Sequence, residues 1–350
     1  MLYATGIESY MINTNNIVPF RGITVIVPTN RYKCIETLIG SCISKYNGSL
    51  FRFKIYDSSE DLLIKKCIQR HNASHLDRQV YYYHCDPGIG ADRKAIEAIK
   101  SENSEFFWLY GDGNNTDFGS LEKILLQENF QNFDIIDLET ADRRGILNQD
   151  QDKKLNRIYT YHNAYDFSSR YFSHLTYWGG SIVRNSFYKN IFTTGRMQVY
   201  EDHQIPWWIA CTLLDLIADK IQSEENVHLG VMYSDTLTNN KEKLDHGWTQ
   251  DERYYQITFV KLLEGVSLMS SWYPETIKKQ MVKGLWDDSL ANFRYLLHLR
   301  RIGNLNPRMV QKYKNEIKTV PAVYRRMKVI SSIPQPVIQM IYRFKKRIKP

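Results

Sequence analysis

The sequence has little of what marks exported, disulfide-bonded or membrane-spanning proteins. Its cysteines are few, odd in number and never spaced as a Cys-x-x-Cys pair, namely Cys34, Cys42, Cys67, Cys85 and Cys211. This usage is typical of reduced cytosolic thiols and does not favour a disulfide framework or a zinc site. Residues 1–16 lack the basic start and the apolar run of a signal peptide, so export is not expected.

Long apolar runs are also missing. The longest strongly apolar stretch, residues 207–218, contains Asp215 and is shorter than the roughly 20 residues that a membrane-spanning helix needs. The sequence therefore predicts no transmembrane helix. What is present is an ordinary globular composition over 350 residues, with 43% hydrophobic and 24% charged residues, which excludes wholesale disorder. The length suits one large domain with an appendage.

Acidic residues are absent from residues 322–350, and this segment carries the whole positive excess of the chain. Its basic residues are Arg325, Arg326, Lys328, Arg343, Lys345, Lys346, Arg347 and Lys349. Without these eight, residues 1–321 contain 38 basic and 38 acidic side chains, so the remainder of the chain is neutral. The basic residues alternate with apolar ones, a composition that suits an anionic membrane surface.

We therefore expect a cytoplasmic protein that lies peripherally on the inner face of the plasma membrane through its basic tail. A solvated basic end without a partner is the alternative. Nucleic acid is not an expected partner, because no zinc pattern or aromatic RNA-binding motif accompanies the charge. The sequence leaves room for an oligomer.

Strand and helix patterns alternate through the first third of the chain. Buried-strand patterns occupy residues 22–30, 51–59, 79–86 and 106–113, and helical patterns lie between them at residues 35–46, 61–71 and 91–101. This alternation predicts a parallel sheet with helices on both faces. In such sheets ligands bind beyond the carboxyl ends of the strands. We expect the polar groups that end these strands to converge on one crevice, namely Thr29, Asn30, Asp57, Asp112 and Asn114.

The later segments continue the pattern and then change it. Residues 133–140 predict another strand, and residues 171–188 predict an approach segment, a double glycine, a strand and a helix start. An apolar stripe predicts a helix that begins just after Glu201 and Asp202 and continues to about residue 221. Residues 250–320 are helical in pattern and no longer alternate with strands, which indicates a helical appendage.

Five segments in this order resemble the family 2 glycosyltransferases of GT-A fold. They are TVIVPTNR (24–31), KIYDSSED (54–61), WLYGDGN (108–114), GGSIVRNSF (179–187) and YED (200–202). The resemblance implies a doubly wound, mostly parallel α/β sheet flanked by helices. Its predicted bounds are a lead-in at 1–21, a GT-A domain at 22–250, a helical C-terminal region at 251–321 and a basic tail at 322–350.

The resemblance also implies an activity: inverting transfer of a sugar from a nucleotide sugar, with a UDP-sugar as the expected donor. The acceptor would be a hydroxyl of a glycan or a lipid-linked glycan in surface polysaccharide synthesis. Base and ribose would be held by residues of the first two strand ends, namely Pro28, Thr29, Asn30, Arg31 and Asp57. A cap or turn before the next helix is the alternative for Asp57. Arg93, after a glycine-rich turn, is suited to contact the diphosphate. It stands where a dinucleotide-binding motif would have its third glycine, so the sequence does not favour nicotinamide binding.

The segment WLYGDGN lies where the family carries an Asp-x-Asp metal motif. The resemblance therefore implies that Asp112 and Asn114 bind Mn²⁺ or Mg²⁺, with Asp112 also at the nucleotide. An amide in place of the second carboxylate weakens such a site. His246, in a segment where relatives close the site, is a further candidate ligand, with plain surface as its alternative. Two alternatives to this ligand set remain open. Asp117 could replace the missing carboxylate, or the segment could be a glycine-rich turn that binds no metal.

The resemblance places the catalytic base at Asp202, with Glu201 beside it, although capping of a helix N-terminus explains the same pair. Trp178, Gly179 and Gly180 would line the sugar and acceptor pocket, and a core position is the alternative for Trp178. Two other functions remain open. One is a catalytically degenerate GT-A domain that binds a glycan or a partner, suggested by Asn114. The other is a nucleotidyltransferase, for which the expected basic glycine-rich pattern near the first strand is missing.

Overall fold

A computed structural model describes residues 7–8, 20–76, 79–140, 155–239 and 251–340. The chain divides into two compact units that interleave along the sequence. Unit 1 comprises Met1–His162, Tyr177–Thr194 and Ser223–Lys243, and unit 2 comprises Asn163–Thr176, Gly195–Gln222 and Leu244–Pro350. The domain bounds expected from the sequence remain a prediction.

All strands of the described residues belong to unit 1. They are β1 (Ile7–Glu8), β2 (Ile23–Thr29), β3 (Phe51–Asp57), β4 (Val80–Cys85), β5 (Phe106–Leu109), β6 (Asn114–Thr116), β7 (Ile135–Thr140), β8 (Ile158–Tyr161), β9 (Ser181–Arg184), β10 (Leu229–Ser234) and β11 (Leu237–Asn239).

The helices are α1 (Tyr32–Ser41), α2 (Leu63–Ser74), α3 (Ala91–Ser101), α4 (Phe118–Gln127), α5 (Ala164–Leu175), α6 (Asn185–Tyr188), α7 (Asn190–Thr193), α8 (Arg196–Asp202), α9 (Trp208–Gln222), α10 (Asp251–Tyr255), α11 (Leu262–Leu268), α12 (Glu275–Leu285), α13 (Phe293–Arg301), α14 (Pro307–Lys312), α15 (Lys314–Ile317) and α16 (Pro321–Ser332). Short 3₁₀ turns lie at Ile43–Lys45 and Phe130–Asn132, and π-helical segments at Gln256–Lys261 and Trp286–Leu290.

The main sheet of unit 1 has nine strands within the described residues, in the order β1-β4-β3-β2-β5-β9-β7-β10-β8. Strands β4, β3, β2 and β5 are parallel neighbours. Strand β9 lies between β5 and β7 and is antiparallel to both, so β7 has the same direction as β5. Strand β10 is parallel to β7. Strands β6 and β11 form a separate antiparallel pair. The sheet is therefore mostly parallel, as the alternation of patterns predicts.

The core of unit 1 is built around strands that are apolar on both faces. Every residue of β2 is buried, as expected for a central strand whose two faces are both covered. Aromatic side chains fill the space between the sheet and its helices, and Phe118 of α4 packs edge-on against Phe53 with ring centroids 4.8 Å apart. Trp108 of β5 belongs to the same cluster. This packing fixes the central strands, whose ends carry the candidate site.

The first four predicted strands and the three helices between them are confirmed within a few residues, and β7 confirms the predicted strand at 133–140. One predicted helix start is wrong. Glu201 and Asp202 are the last residues of α8, and α9 begins only at Trp208. Pro206 lacks an N–H and disfavours a helical conformation for the residue before it. Gln204, with φ of 52°, adds a left-handed residue that separates the two helices.

Unit 2 contains only helical elements among its described residues, which confirms the predicted helical region. Its core includes the buried rings of Phe259 and Trp286, whose centroids lie 4.9 Å apart. The indole N–H of Trp286 donates to the carbonyl of Thr258 at 3.0 Å, which satisfies a polar group inside this core. Among the described residues, no helix has both the length and the apolar character needed to cross a bilayer.

Candidate functional site

The carboxyl ends of β2, β3 and β5 lie at one edge of the sheet and bring three predicted residues together. Thr29, at the end of β2, is in register with Asp57, at the end of β3. The Thr29 hydroxyl donates to Oδ2 of Asp112, which follows β5, at 2.7 Å. Asp57 and Asp112 are both buried. Pro28 is buried within β2, and Asn30 is exposed at the loop that follows.

Arg31 forms a bidentate ion pair with Asp112. Its Nε donates to Asp112 Oδ2 at 2.9 Å, and its Nη2 pairs with Oδ1. The Arg31 backbone N–H also donates to Thr29 Oγ1 at 3.0 Å, so that three residues form one closed hydrogen-bonded group. The bond to Asp112 raises the pKa of the Arg31 guanidinium. The Arg31 side chain remains 48% exposed, whereas Asp112 is almost fully buried.

Lys94 is a second cation at this edge, and the sequence analysis missed it. Lys94 is only 2% exposed. Its ammonium donates to the carbonyl of Thr29 and to Ser58 Oγ, each at 2.7 Å. Burial lowers the pKa of Lys94, while the nearby Asp57 and Asp112 act in the opposite direction. The amphipathic pattern of α3 could have identified it, because Lys94 precedes buried Ala98 by one helical turn.

The predicted diphosphate contact, Arg93, is the neighbour of Lys94 but has a different environment. It pairs with Glu97 one turn along α3 at 2.8 Å, and its side chain is 54% exposed. The structure thus ties Lys94 to the strand ends by direct hydrogen bonds, and the role of Arg93 remains a prediction.

Asp57 is completely buried, and both of its oxygens have partners. Oδ1 accepts from the backbone N–H of Ser59 at 2.8 Å, and Oδ2 accepts from the Tyr82 hydroxyl at 3.0 Å. Burial, followed by the charge of Asp57, raises the pKa of Tyr82, so this phenol stays a donor. Asp57 does not cap α2, since Asp61 accepts from Leu63 N–H at the start of that helix at 3.0 Å. Its bond from Ser59 N–H, two residues on, is that of a turn residue, the other alternative for this position.

The Asp-Gly-Asn turn packs against the double-glycine segment of the same unit. Asn114 Nδ2 donates to the carbonyl of Trp178 at 2.8 Å, and the Tyr177 hydroxyl donates to Asn114 Oδ1. The backbone N–H of Gly111 also donates to the Trp178 carbonyl at 3.2 Å. Gly179 has φ of +113°, and a Cβ there would lie 2.3 Å from Asn114 Nδ2, so only glycine fits.

This packing places Trp178, Gly179 and Gly180 beside the turn that carries Asp112 and Asn114. The Trp178 side chain is half-buried, and both glycines are buried. The Trp178 carbonyl and the Tyr177 hydroxyl are hydrogen-bonded to the turn. The predicted sugar and acceptor residues are therefore next to the turn that carries the predicted metal ligands.

The described residues of the turn do not fit a divalent cation in the arrangement observed. Guanidinium nitrogens of Arg31 take both oxygens of Asp112, and Asn114 Oδ1 accepts from Tyr177. Asp117 caps α4 by accepting from Ser120 N–H at 3.1 Å and from Ser120 Oγ at 2.7 Å, so it is not a substitute ligand here. His246, the other candidate ligand, lies outside the described residues.

The predicted base belongs to unit 2. Asp202 is exposed on the last turn of α8 and accepts from Gln198 Nε2 at 2.7 Å. Glu201 precedes it and is half-buried. The two carboxylates do not cap a helix N-terminus, because α8 ends at Asp202.

A buried carboxylate that the sequence analysis missed anchors α8. Asp215 of α9 accepts from the Tyr200 hydroxyl at 2.7 Å and from the Ser270 backbone N–H at 2.7 Å. Its burial raises the pKa of this carboxyl. The network holds the helix whose last turn carries Asp202.

The basic tail is partly a packed helix. Val323, Met327 and Ile330 of α16 are buried, and Arg326 pairs with Asp287 at 3.0 Å within unit 2. Val329 on the same helix is 65% exposed. The last five basic residues, Arg343, Lys345, Lys346, Arg347 and Lys349, lie outside the described residues.

Comparison with known proteins identifies the fold. No protein-family model and no curated sequence matches the chain. The structure of TarS 1–349 from S. aureus in complex with UDP-GlcNAc matches with a TM-score of 0.50 and 13% identity, covering 93% of this chain and 92% of that one. A mannosyltransferase from Pyrobaculum calidifontis in complex with GDP-Man and Mn²⁺ gives 0.48 and 13%, covering 92% and 88%.

Glucosyl-3-phosphoglycerate synthase from Mycobacterium tuberculosis, in complex with Mn²⁺, UDP and phosphoglyceric acid, gives a TM-score of 0.40 and 9% identity, covering 72% of this chain and 80% of that one. At these identities the likeness concerns the fold alone. The predicted fold class is confirmed: unit 1 has the mostly parallel sheet of the GT-A glycosyltransferase fold, and the C-terminal region is helical.

Proposed function

We propose that this protein is a glycosyltransferase that moves a sugar from a nucleotide sugar to a hydroxyl of a glycan or lipid-linked acceptor. A UDP-sugar is the proposed donor, and family 2 is the proposed family. The observation that carries the proposal is the junction of Thr29, Asp57 and Asp112 at the carboxyl edge of the sheet. Ligands of open α/β sheets bind at this edge, and Arg31 and Lys94 supply positive charge there.

Each residue has a defined part in donor binding. Asp57 is held by Ser59 and Tyr82, and a carboxylate has acceptor positions beyond two, so it can also accept from a base N–H. Arg31 faces solvent with half of its side chain and suits an anionic diphosphate. Trp178 and the glycines beside it form the proposed wall for the donor sugar.

The proposed reaction inverts the anomeric centre. Asp202 takes the proton of the acceptor hydroxyl while the hydroxyl oxygen attacks the anomeric carbon. The bond from that carbon to the diphosphate oxygen breaks, and the nucleoside diphosphate leaves with the electron pair. The assignment of Asp202 rests on the sequence resemblance. The arrangement of Asp112 and Asn114 gives no support to the predicted Mn²⁺ or Mg²⁺, so no step is assigned to a metal.

A non-catalytic binding module is the second candidate. Its support is the side chain of Asn114, which stands where the resembled family has a second carboxylate and is engaged on both polar atoms by Tyr177 and Trp178. We also propose that the basic tail contacts an anionic membrane, since exposed Val329 accompanies its charges.

Donor binding and turnover separate these candidates. UDP, GDP and a panel of UDP- and GDP-sugars are titrated calorimetrically into the full chain, the Asp57→Asn variant and the Asp112→Ala variant. We expect one nucleotide series to bind and both variants to weaken it by about tenfold or more. Asp166→Asn, an exposed carboxylate of unit 2 paired with Arg170, is the matched control.

The second measurement is release of nucleoside diphosphate from the bound donor in the presence of glycan acceptors. Turnover supports the transferase, whereas tight binding without turnover across the panel supports the binding module. Equal binding by the wild type and both variants contradicts the proposed site.

A further inference from the structure

The charge of the Asp-Gly-Asn turn matches a guanidinium, which carries a single positive charge. A divalent ion at a nucleotide is bound through one or two carboxylates together with the phosphates. At this turn Asn114 Oδ1 already accepts from Tyr177, so Asp112 is the one carboxylate left to balance a cation. A guanidinium is balanced by a single carboxylate, and Arg31 already makes that pair through both Asp112 oxygens. The residue types at the turn are thus those that suit an arginine.

The Arg31–Asp112 pair is built into the fold and is not a loose surface contact. The two residues are 81 positions apart in sequence, and Thr29 Oγ1 joins them by donating to Asp112 and accepting from Arg31 N–H. Arg31 also occupies the N-cap position of α1 with extended backbone, φ of −118°. Thr29 thus fixes the Arg31 backbone, and Asp112 fixes its guanidinium.

Arg31 keeps donors for a ligand. A guanidinium has five N–H donors in a planar fork, and Asp112 accepts from Nε and Nη2. Nearly half of the side chain is exposed. This geometry matches the paired oxygens of a phosphate. Lys94, held at the carbonyl of Thr29, adds a second positive charge on the same strand end.

We infer that Arg31, held by Asp112, binds the diphosphate of the donor in place of a divalent cation, and that nucleotide binding by this protein does not require a metal. During transfer the same guanidinium stabilises the negative charge that develops on the leaving diphosphate. The inference rests on the proposed nucleotide-sugar function and goes beyond it, because it assigns to Arg31 the role of the metal that the sequence resemblance implies.

The first test uses the wild-type protein. UDP and GDP are titrated calorimetrically once in EDTA and once in MnCl₂ after exhaustive chelation. We expect affinities that agree within about twofold between the two buffers. Binding that appears only with Mn²⁺ overturns the inference and leaves the proposed function standing. Binding in neither buffer overturns both.

The second test uses Arg31→Ala and Arg31→Lys, with circular dichroism and melting temperature as checks of folding. In EDTA we expect Arg31→Ala to weaken nucleotide binding by about tenfold or more, and Arg31→Lys to lie between, since it keeps the charge and loses the fork. Arg170→Ala is the matched control, because Arg170 is 50% exposed and pairs through Nε with Asp166. Unchanged binding by Arg31→Ala overturns the inference.

The third test needs no nucleotide. Mn²⁺ is titrated into the wild type and Arg31→Ala, and free Mn²⁺ is followed by electron paramagnetic resonance. Removal of the guanidinium exposes the Asp112 carboxylate, so we expect Arg31→Ala to bind Mn²⁺ more tightly than the wild type. Equal or tighter binding by the wild type shows that Arg31 does not occupy the place of a cation.

Discussion

The side-chain amide of Asn114 donates from Nδ2 to the carbonyl oxygen of Trp178 at 2.8 Å, across 64 positions of sequence. Its oxygen accepts from the Tyr177 hydroxyl at the same time. A carboxylate at position 114 could accept from Tyr177 but could not donate to Trp178. The amide therefore has a structural reason that is independent of metal binding: it joins the turn after β5 to the double-glycine segment.

Replacement of Asn114 by aspartate tests this reason. Asn114→Asp leaves the Trp178 carbonyl opposite a carboxylate and without the side-chain donor, so we expect a loss of about 1–3 kcal/mol in the free energy of unfolding in EDTA. Urea denaturation measures it. Asn115→Asp is the control, because Asn115 is exposed and accepts from Cys42 Sγ through an oxygen that aspartate keeps. An Asn114→Asp variant as stable as the control contradicts the explanation.

Replacement of Gly179 by alanine tests the close approach of the same two segments. The new Cβ would lie 2.3 Å from Asn114 Nδ2 on a backbone with φ of +113°. We expect about 1–3 kcal/mol of destabilisation from backbone strain, with the steric clash adding to it. Gly195→Ala separates the two causes, because Gly195 has φ of +73° but no atom within 4 Å of its Cβ position. Thermal melts of both variants should show the larger decrease in melting temperature for Gly179→Ala. Equal decreases would show that the steric clash does not contribute.

Replacement of Lys94 by methionine tests the buried cation. The Thr29 carbonyl and Ser58 Oγ lose their shared donor, so we expect about 1–3 kcal/mol of destabilisation at neutral pH. Burial lowers the pKa of Lys94 in the folded protein. Between that lowered pKa and the ordinary value of about 10.4, the unfolded chain binds more protons, so this residue's contribution to stability rises with pH.

The difference in unfolding free energy between wild type and Lys94→Met should therefore increase from neutral pH towards about pH 10. Groups common to both proteins cancel in this difference. Lys100→Met, at an exposed position of the same helix, should show no such trend. A difference that stays constant or falls with pH would contradict the effect of burial on Lys94.

Replacement of Asp202 by asparagine tests the proposed base. Asparagine keeps the acceptor oxygen for Gln198 but cannot take a proton, so we expect transfer to fall by about 100-fold or more. Nucleotide affinity should remain unchanged, as measured by calorimetry. Asp219→Asn, a partly exposed carboxylate of unit 2 that pairs with Arg196 at 3.5 Å, should retain turnover. Full turnover by Asp202→Asn would show that Asp202 is not the base.

Local pattern was sufficient for the elements that surround the site. The alternation of buried strands and amphipathic helices predicted β2 to β5 with α1 to α3, because side-chain periodicity within a segment reports its own secondary structure. Parallel pairing then placed Thr29, Asp57 and Asp112 at one edge, since consecutive parallel strands end on the same side. The end of α8 at Asp202 was not predicted, because the left-handed backbone of Gln204 that follows it is not visible in side-chain periodicity.

The sequence by itself determined which strands end in polar groups at a common edge. Only the tertiary structure decided how those groups are bonded. Arg31 meets Asp112 across 81 positions, and Asn114 meets Trp178 across 64. Lys94, the neighbour of the predicted Arg93, is bonded to the strand ends, and one residue along a helix turns a side chain by about 100°. Such partners depend on which surfaces the packed core brings together, and no local periodicity records that choice.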